Sequence, residues 1–146
     1  MDFQKTVGRN LSAIVRLTHS HVNEDLEKFG LSSGQFPFFM ALIKHEGERQ
    51  EDVNEYLCMD KATTARAFKK LVDLGLVKRL ECNKDHRCFR LYMTEKGKEL
   101  IPEIMKILKS WSDTMFEGFS DEEREVFGKQ ISRMFDNAKK AVGRSV

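Results

Sequence analysis

Nowhere in its 146 residues does the chain hold the run of about 18 apolar side chains that a bilayer crossing needs, so no membrane span is expected. Its opening, Met1-Asp2-Phe3-Gln4-Lys5, lacks the apolar stretch of a secretory leader, which predicts a cytoplasmic location. Cysteine is scarce: Cys58, Cys82 and Cys88 are odd in number and irregular in spacing, unlike a secreted disulfide scaffold, and reduced thiols are expected. Also missing are a Gly-rich phosphate loop, a His-Glu-x-x-His pair and a glycine fingerprint after a strand. These absences argue against an enzyme, and no cofactor is expected.

What is present is unevenly charged. The formal net charge is only +2. Yet between Lys61 and Arg90 stand Lys61, Arg66, Lys69, Lys70, Lys78, Arg79, Lys84, Arg87 and Arg90 against only Asp73, Glu81 and Asp85. The rest of the chain is therefore net acidic. A local field of one sign points to a polyanionic partner for that segment.

From Phe3 to about Phe29, Val7, Leu11, Ile14, Thr18, Val22 and Leu26 recur every three or four positions, the period of a long amphipathic helix. Gly30 is suited to end it, and Ser32-Ser33-Gly34-Gln35 supplies a capping box for a second helix to about His45. Pro37 is expected past the first turn of that helix, where it should bend it. A short helix follows from Gln50 to Leu57, then a tight connection, Cys58-Met59-Asp60, and a helix from Lys61 to Leu74. In this fourth helix Thr64, Ala67, Phe68, Leu71 and Leu74 form the inward stripe, leaving Thr63, Ala65, Arg66, Lys69 and Lys70 outside. Two strands, Leu76 to Cys82 and Cys88 to Met93, read as a hairpin. Pairing Leu80 with Leu91 and Cys82 with Phe89 places the apolar side chains on one face and keeps Cys88 away from Cys82. Thr94 can cap a fifth helix to about Phe116, bent at Pro102, and Ser120-Asp121-Glu122-Glu123 opens a last one to about Ala141.

Two short helices joined by a tight turn, with a basic outer face on the second and a basic hairpin after it, suit double-stranded DNA. A helix fits the major groove and a hairpin can place arginine in the minor groove. Thr63, Ala65 and Arg66 would lie nearest the bases, Arg66 with the fork that guanine O6 and N7 accept. Lys69, Lys70, Lys84 and Arg90 would meet phosphates or flank the contact.

Asp60-Lys61-Ala62-Thr63-Thr64-Ala65-Arg66, Gly75-Leu76-Val77-Lys78-Arg79, Asp85-His86-Arg87 and Met93-Thr94-Glu95-Lys96-Gly97, with Leu31-Ser32 and Gln35-Phe36 upstream, resemble the MarR family in order and spacing. The resemblance spans Leu31 to Gly97. It implies a mainly α fold with a small β-hairpin wing: a winged helix-turn-helix lobe at 31–97, flanked by dimerisation helices at 1–30 and 98–146. It further implies a DNA-binding transcriptional regulator, with a repressor expected, in which Arg87 enters the minor groove from the wing tip, oriented by Asp85. His86 stands where arginine is more common, Arg49 where a Ser or Thr cap is usual, and Asn54 where a small residue is common.

A first helix of about 27 residues is roughly 40 Å long, more than a compact lobe covers, and the C-terminal helices add further apolar surface. A homodimer on a pseudo-palindromic site is expected. The family likeness also implies a small aromatic carboxylate, of the salicylate kind, as effector, with Arg16, His19, Phe36 and Phe39 as its candidate site. Redox sensing of the organic-hydroperoxide kind would need a cysteine near the start of the first helix, and none precedes Cys58. No metal is expected: His19 and His21 point apart on a helix, and the hairpin register separates Cys82 from Cys88. The competing assignment is a winged-helix protein-interaction module for an acidic partner.

Overall fold

Residues 4–82 and 85–143 are described by the structure, a computed structural model. They divide into two compact units, one running to Trp111 and the other beginning at Ser112. Among the described residues no helix is long and apolar enough to cross a membrane.

In the first unit, a π-helical turn at Gln4–Gly8 leads into α1, Arg9–Leu26, which tightens into a 3-10 turn at Glu27–Phe29. Gly30 then takes a left-handed φ of 71°. That conformation lets the Leu31 amide donate to the Leu26 carbonyl at 3.2 Å, closing the helix end. Only half of the expected box forms: Gln35 Oε1 accepts from the amide (3.1 Å) and the hydroxyl (2.6 Å) of Ser32, but the Gln35 amide donates to the Ser32 carbonyl at 3.0 Å and Ser32 Oγ accepts from the Gly34 amide instead. Helix α2 itself starts later, at Phe36–His45. Pro37 therefore falls in the first turn, where an amide has no partner within the helix, which removes the reason for the expected bend.

Helices α3, Gln50–Tyr56, and α4, Lys61–Asp73, pack against α2 and against each other. Thr64, Ala67, Phe68 and Leu71 are buried and Ala65, Arg66, Lys69 and Lys70 are exposed, as the 3.6-residue period predicts. Phe68 meets Phe38 edge-on at 5.5 Å between ring centres. Burying such a ring contributes roughly 1.5–3 kcal/mol, so the core sets which side of α4 faces outward.

Strands β1, Val77–Cys82, and β2, Asp85–Met93, form an antiparallel hairpin. Its register differs by one residue from the sequence expectation. Val77 pairs with Met93, Arg79 with Leu91, Leu80 with Arg90 and Glu81 with Phe89. A one-residue slip exchanges the two faces: Val77, Leu91 and Met93 are buried, while Leu80 is 49% exposed. Burying Val77 decides the register, and Leu80 gives way. The pairing is irregular after Glu81, where Cys82 pairs with Asp85, and Cys82 and Cys88 form a disulfide with Cα atoms 5.3 Å apart. This overturns the expectation of reduced, separated thiols; Cys58 is free.

Helix α5, Glu95–Met115, begins where Thr94 ties three elements together. Its amide donates to the Leu76 carbonyl at 3.0 Å, its hydroxyl donates to the Gly75 carbonyl at 2.6 Å, and that hydroxyl also accepts from the Gly97 amide at 3.1 Å. Lys96 Nζ donates to the Leu74 carbonyl at 2.8 Å. Gly97 is needed here because a Cβ at that position would lie 2.3 Å from the Leu76 carbonyl oxygen.

In the second unit, Ser120 caps α6, Asp121–Ala141, through a full box: the Glu123 amide donates to Ser120 Oγ at 3.2 Å, and the Ser120 amide donates to Glu123 Oε2 at 2.8 Å. Phe116, Phe119 and Phe127 pack edge to face, with ring centres 5.4–6.5 Å apart.

Candidate nucleic-acid interface

Asp60 caps α4. Its carboxylate accepts from the Thr63 amide at 2.8 Å and from the Thr63 hydroxyl at 2.6 Å. Those bonds hold the Asp60 carboxyl below its ordinary value, aided by the Arg66 charge. Arg66 donates in turn to Thr63 Oγ1 at 3.1 Å. Cap, hydroxyl and guanidinium thus form one chain of contacts along the exposed start of the helix.

The turn before α4 is held by Asn54. Oriented with its amide nitrogen toward the turn, Asn54 donates to the Met59 carbonyl at 2.7 Å and to Thr64 Oγ1 at 2.6 Å. Thr64 Oγ1 donates onward to the Asp60 carbonyl at 3.0 Å. A larger residue than usual at this position therefore joins the two helices through hydrogen bonds. Arg49, in the cap position of α3, offers no side-chain acceptor, and Asp52 compensates by accepting from the Arg49 amide at 3.2 Å.

Between α3, the start of α4 and the wing lies a cavity of about 370 Å³, bordered by Arg49, Lys61, Thr64, Arg79, Arg87 and Cys88. Of the expected wing residues, Arg87 is exposed and borders this groove. Lys84 and the Asp85 side chain lie outside the described residues, and with them the expected Asp85–Arg87 pair. Arg90 is exposed, but its guanidinium donates to the Gly47 carbonyl at 2.7 Å, a bond that ties the wing to the loop before α3. Lys69 pairs with Asp73 at 2.9 Å on the exposed face of α4. His86 is 93% exposed and meets Glu81 Oε2 at 2.8 Å.

Arg49, Lys61 and Arg79 also border this groove, although none of them was among the expected DNA contacts. Arg79 lies with its guanidinium 4.1 Å from the Phe89 ring centre, a contact that no sequence pattern marks. Lys61, first residue of α4 and next to its cap, was legible by position alone.

The expected effector residues are only partly brought together. Arg16 and His19 are exposed on α1, and Phe36 meets the His19 ring edge-on at 6.5 Å. Phe39 is fully buried in the core and drops out of that site, because the inner face of α2 needs it for packing. The string Gly30-Leu31-Ser32-Ser33-Gly34 has the spelling of a nucleophile elbow. It joins two helices with no strand before it, and Ser32 Oγ is bonded to Gln35, so it carries no such chemistry.

A capped helix with a basic outer face, preceded by a short helix and followed by a hairpin, defines a winged helix-turn-helix protein. The ArnR1-like winged-helix domain family matches residues 28–110. A solved MarR transcriptional regulator from Methanosarcina mazei Go1 is 39% identical with a TM-score of 0.89, the match covering 94% of this chain and 99% of that one. The "Uncharacterized HTH-type transcriptional regulator YybA" of Bacillus subtilis (strain 168) is 28% identical over 129 residues, 88% of this chain and 86% of that protein. A putative MarR family regulator from Listeria monocytogenes, solved in complex with 26mer DNA, shares the fold at a TM-score of 0.84 and 24% identity, covering 94% of this chain and 95% of that one. The chain belongs to the MarR family of transcriptional regulators, and it is a regulator rather than an enzyme.

Proposed function

We propose that this protein binds double-stranded DNA as a homodimer and represses transcription by occupying a pseudo-palindromic operator. The observation that carries the reading is the division of α4: Thr64, Ala67, Phe68 and Leu71 lock one side into the core, while Ala65, Arg66, Lys69 and Lys70 stand exposed beside a cation-lined groove. Thr63, Ala65 and Arg66 read bases, and Lys69, Lys70, Lys84 and Arg90 contact or flank the backbone. Arg87 enters the minor groove, oriented by Asp85. Residues 31–97 serve as the DNA-binding lobe, with 1–30 and 98–146 for dimerisation. The Listeria relative solved with DNA supports this use of the fold.

Each unit by itself leaves apolar surface uncovered: Leu17 is 60% exposed on α1, and Val126 and Phe135 are 50% and 49% exposed on α6. A second copy covers such faces, and two-fold symmetry spaces two recognition helices by about one DNA turn, roughly 34 Å. The effector is a small aromatic carboxylate paired by Arg16 beside His19 and Phe36. Its support is the His19–Phe36 contact, and equal salicylate-induced thermal shifts for wild type and Arg16→Ala would remove it.

Selection of bound duplexes from a random pool tests the main reading. An inverted repeat is expected. Recovery of no duplex, together with binding to an acidic protein, would transfer the basic face to a protein-interaction role.

A further inference from the structure

We propose that Cys82 and Cys88 are a reversible thiol–disulfide pair whose closure keeps the DNA-facing groove assembled, so that the redox state of the wing tunes affinity for DNA. The proposal rests on the DNA-binding reading above.

Two observations carry it. First, the bond has no evident task in stabilising the fold. It joins residues six positions apart, and stabilisation by a cross-link grows with the length of the loop it closes. The unit already holds a core of fully buried side chains, including Phe38, Phe39 and Phe68. The effect of the bond is therefore local to the wing. Second, Cys88 borders the groove together with Arg49, Lys61, Arg79 and Arg87, against the single carboxylate of Glu51. A positive field of this kind favours a thiolate, the form that reacts with oxidants. Both cysteines are only half-buried, so small reagents have access.

The chemistry balances with a peroxide as oxidant. The Cys88 thiolate attacks one peroxide oxygen, the O–O bond breaks, and hydroxide leaves to become water, giving a sulfenic acid. The Cys82 thiolate then attacks that sulfur and displaces a second hydroxide, which also becomes water. Two thiols and one hydrogen peroxide yield one disulfide and two waters, with two electrons passing from sulfur to oxygen. A dithiol reverses the step by exchange.

The disulfide is the tight-binding state. Arg87 directly precedes Cys88, so the bond that ties Cys88 to Cys82 also restrains Arg87 at the edge of the groove. Opening it restores freedom that DNA binding must again remove.

The full chain is treated with hydrogen peroxide and then dithiothreitol. After each step free thiols are alkylated and the chain is digested with trypsin, which cuts after Arg87, between the two cysteines. A linked peptide pair containing Cys82 and Cys88 is expected after peroxide and is lost after dithiothreitol, with Cys58 alkylated in both. Fluorescence anisotropy with the selected duplex should show binding about threefold to tenfold tighter for the disulfide form. The double variant Cys82→Ser, Cys88→Ser, checked for fold by circular dichroism, should bind like the reduced wild type under either treatment. Equal affinity of the two forms, or failure of peroxide to link the pair, overturns the proposal and leaves the DNA-binding reading standing. If linkage is reversible but neither form binds any duplex, the DNA-binding reading fails and the affinity switch fails with it.

Discussion

Arg66 donates to the hydroxyl of Thr63 at 3.1 Å, one helical turn back toward the Asp60 cap. The contact orients the guanidinium on the exposed side of α4 before any ligand arrives. Arg66→Ala should weaken binding to the selected duplex by roughly 1 to 3 kcal/mol, about 5- to 150-fold, and relax the preference at one base pair. Arg66→Lys should not restore that preference, because an ammonium lacks the planar fork. Titrations against matched and single-mismatch duplexes check both outcomes.

The Asp60 carboxyl titrates below its ordinary value because Thr63 donates to the ionised form. A folded-state value below the unfolded one, about 3.9, gives stability that is present above that pH and lost as pH falls through the folded value. Wild type should thus lose part of its α4 cap only below about pH 4. Asp60→Asn still caps the helix, so it should fold at neutral pH and lack this acid-sensitive component in paired denaturant titrations from pH 2.5 to 6.

Gly97 lies against backbone that cannot move aside. Gly97→Ala should cost about 1 to 3 kcal/mol by urea denaturation, despite the higher helix propensity of alanine. An unchanged midpoint would contradict the close approach of α5 to Leu76.

Cys58, in the turn ahead of α4, has a φ of 54°, a left-handed conformation that strains a residue bearing a Cβ. Cys58→Gly should remove that strain and raise stability by about 1 kcal/mol or less, once the greater chain entropy of glycine is set against it. Thermal unfolding reads the sign directly.

Ionic strength separates phosphate contact from a generic surface charge. A dimer that neutralises about six phosphates should lose roughly a thousandfold in affinity between 50 and 200 mM salt. A flat response would remove duplex DNA as the partner.

The faces of α4 were legible in the sequence because thirteen residues of helical period leave little doubt about which side is apolar. The wing was not, since its period is two and both Val77 and Leu80 are apolar. Choosing between them requires knowing that Val77 covers the core beside Met93, which is a tertiary fact. That slip hid the inward placement of Arg79, and together with the irregularity after Glu81 it hid the Cys82–Cys88 bond. Phe39 was misassigned for a related reason: a run of phenylalanines marks an apolar helix face without saying which rings the core will claim. Pro37 was misjudged by a shift of a few residues in where its helix begins.

Four hydrogen bonds join the loop before α3 to the wing: the Gly47 amide donates to the Leu91 carbonyl at 2.7 Å, the Leu91 amide to the Glu48 carbonyl at 3.1 Å, the Met93 amide to Glu46 Oε1 at 3.0 Å, and Arg90 to the Gly47 carbonyl at 2.7 Å. A lone two-stranded hairpin is marginal in water. Clamped in this way, its lower half inherits the rigidity of the helices behind it. In the proposed complex with DNA, the loop before α3 therefore sets the angle at which the Arg90–Met93 part of β2 leaves the helices.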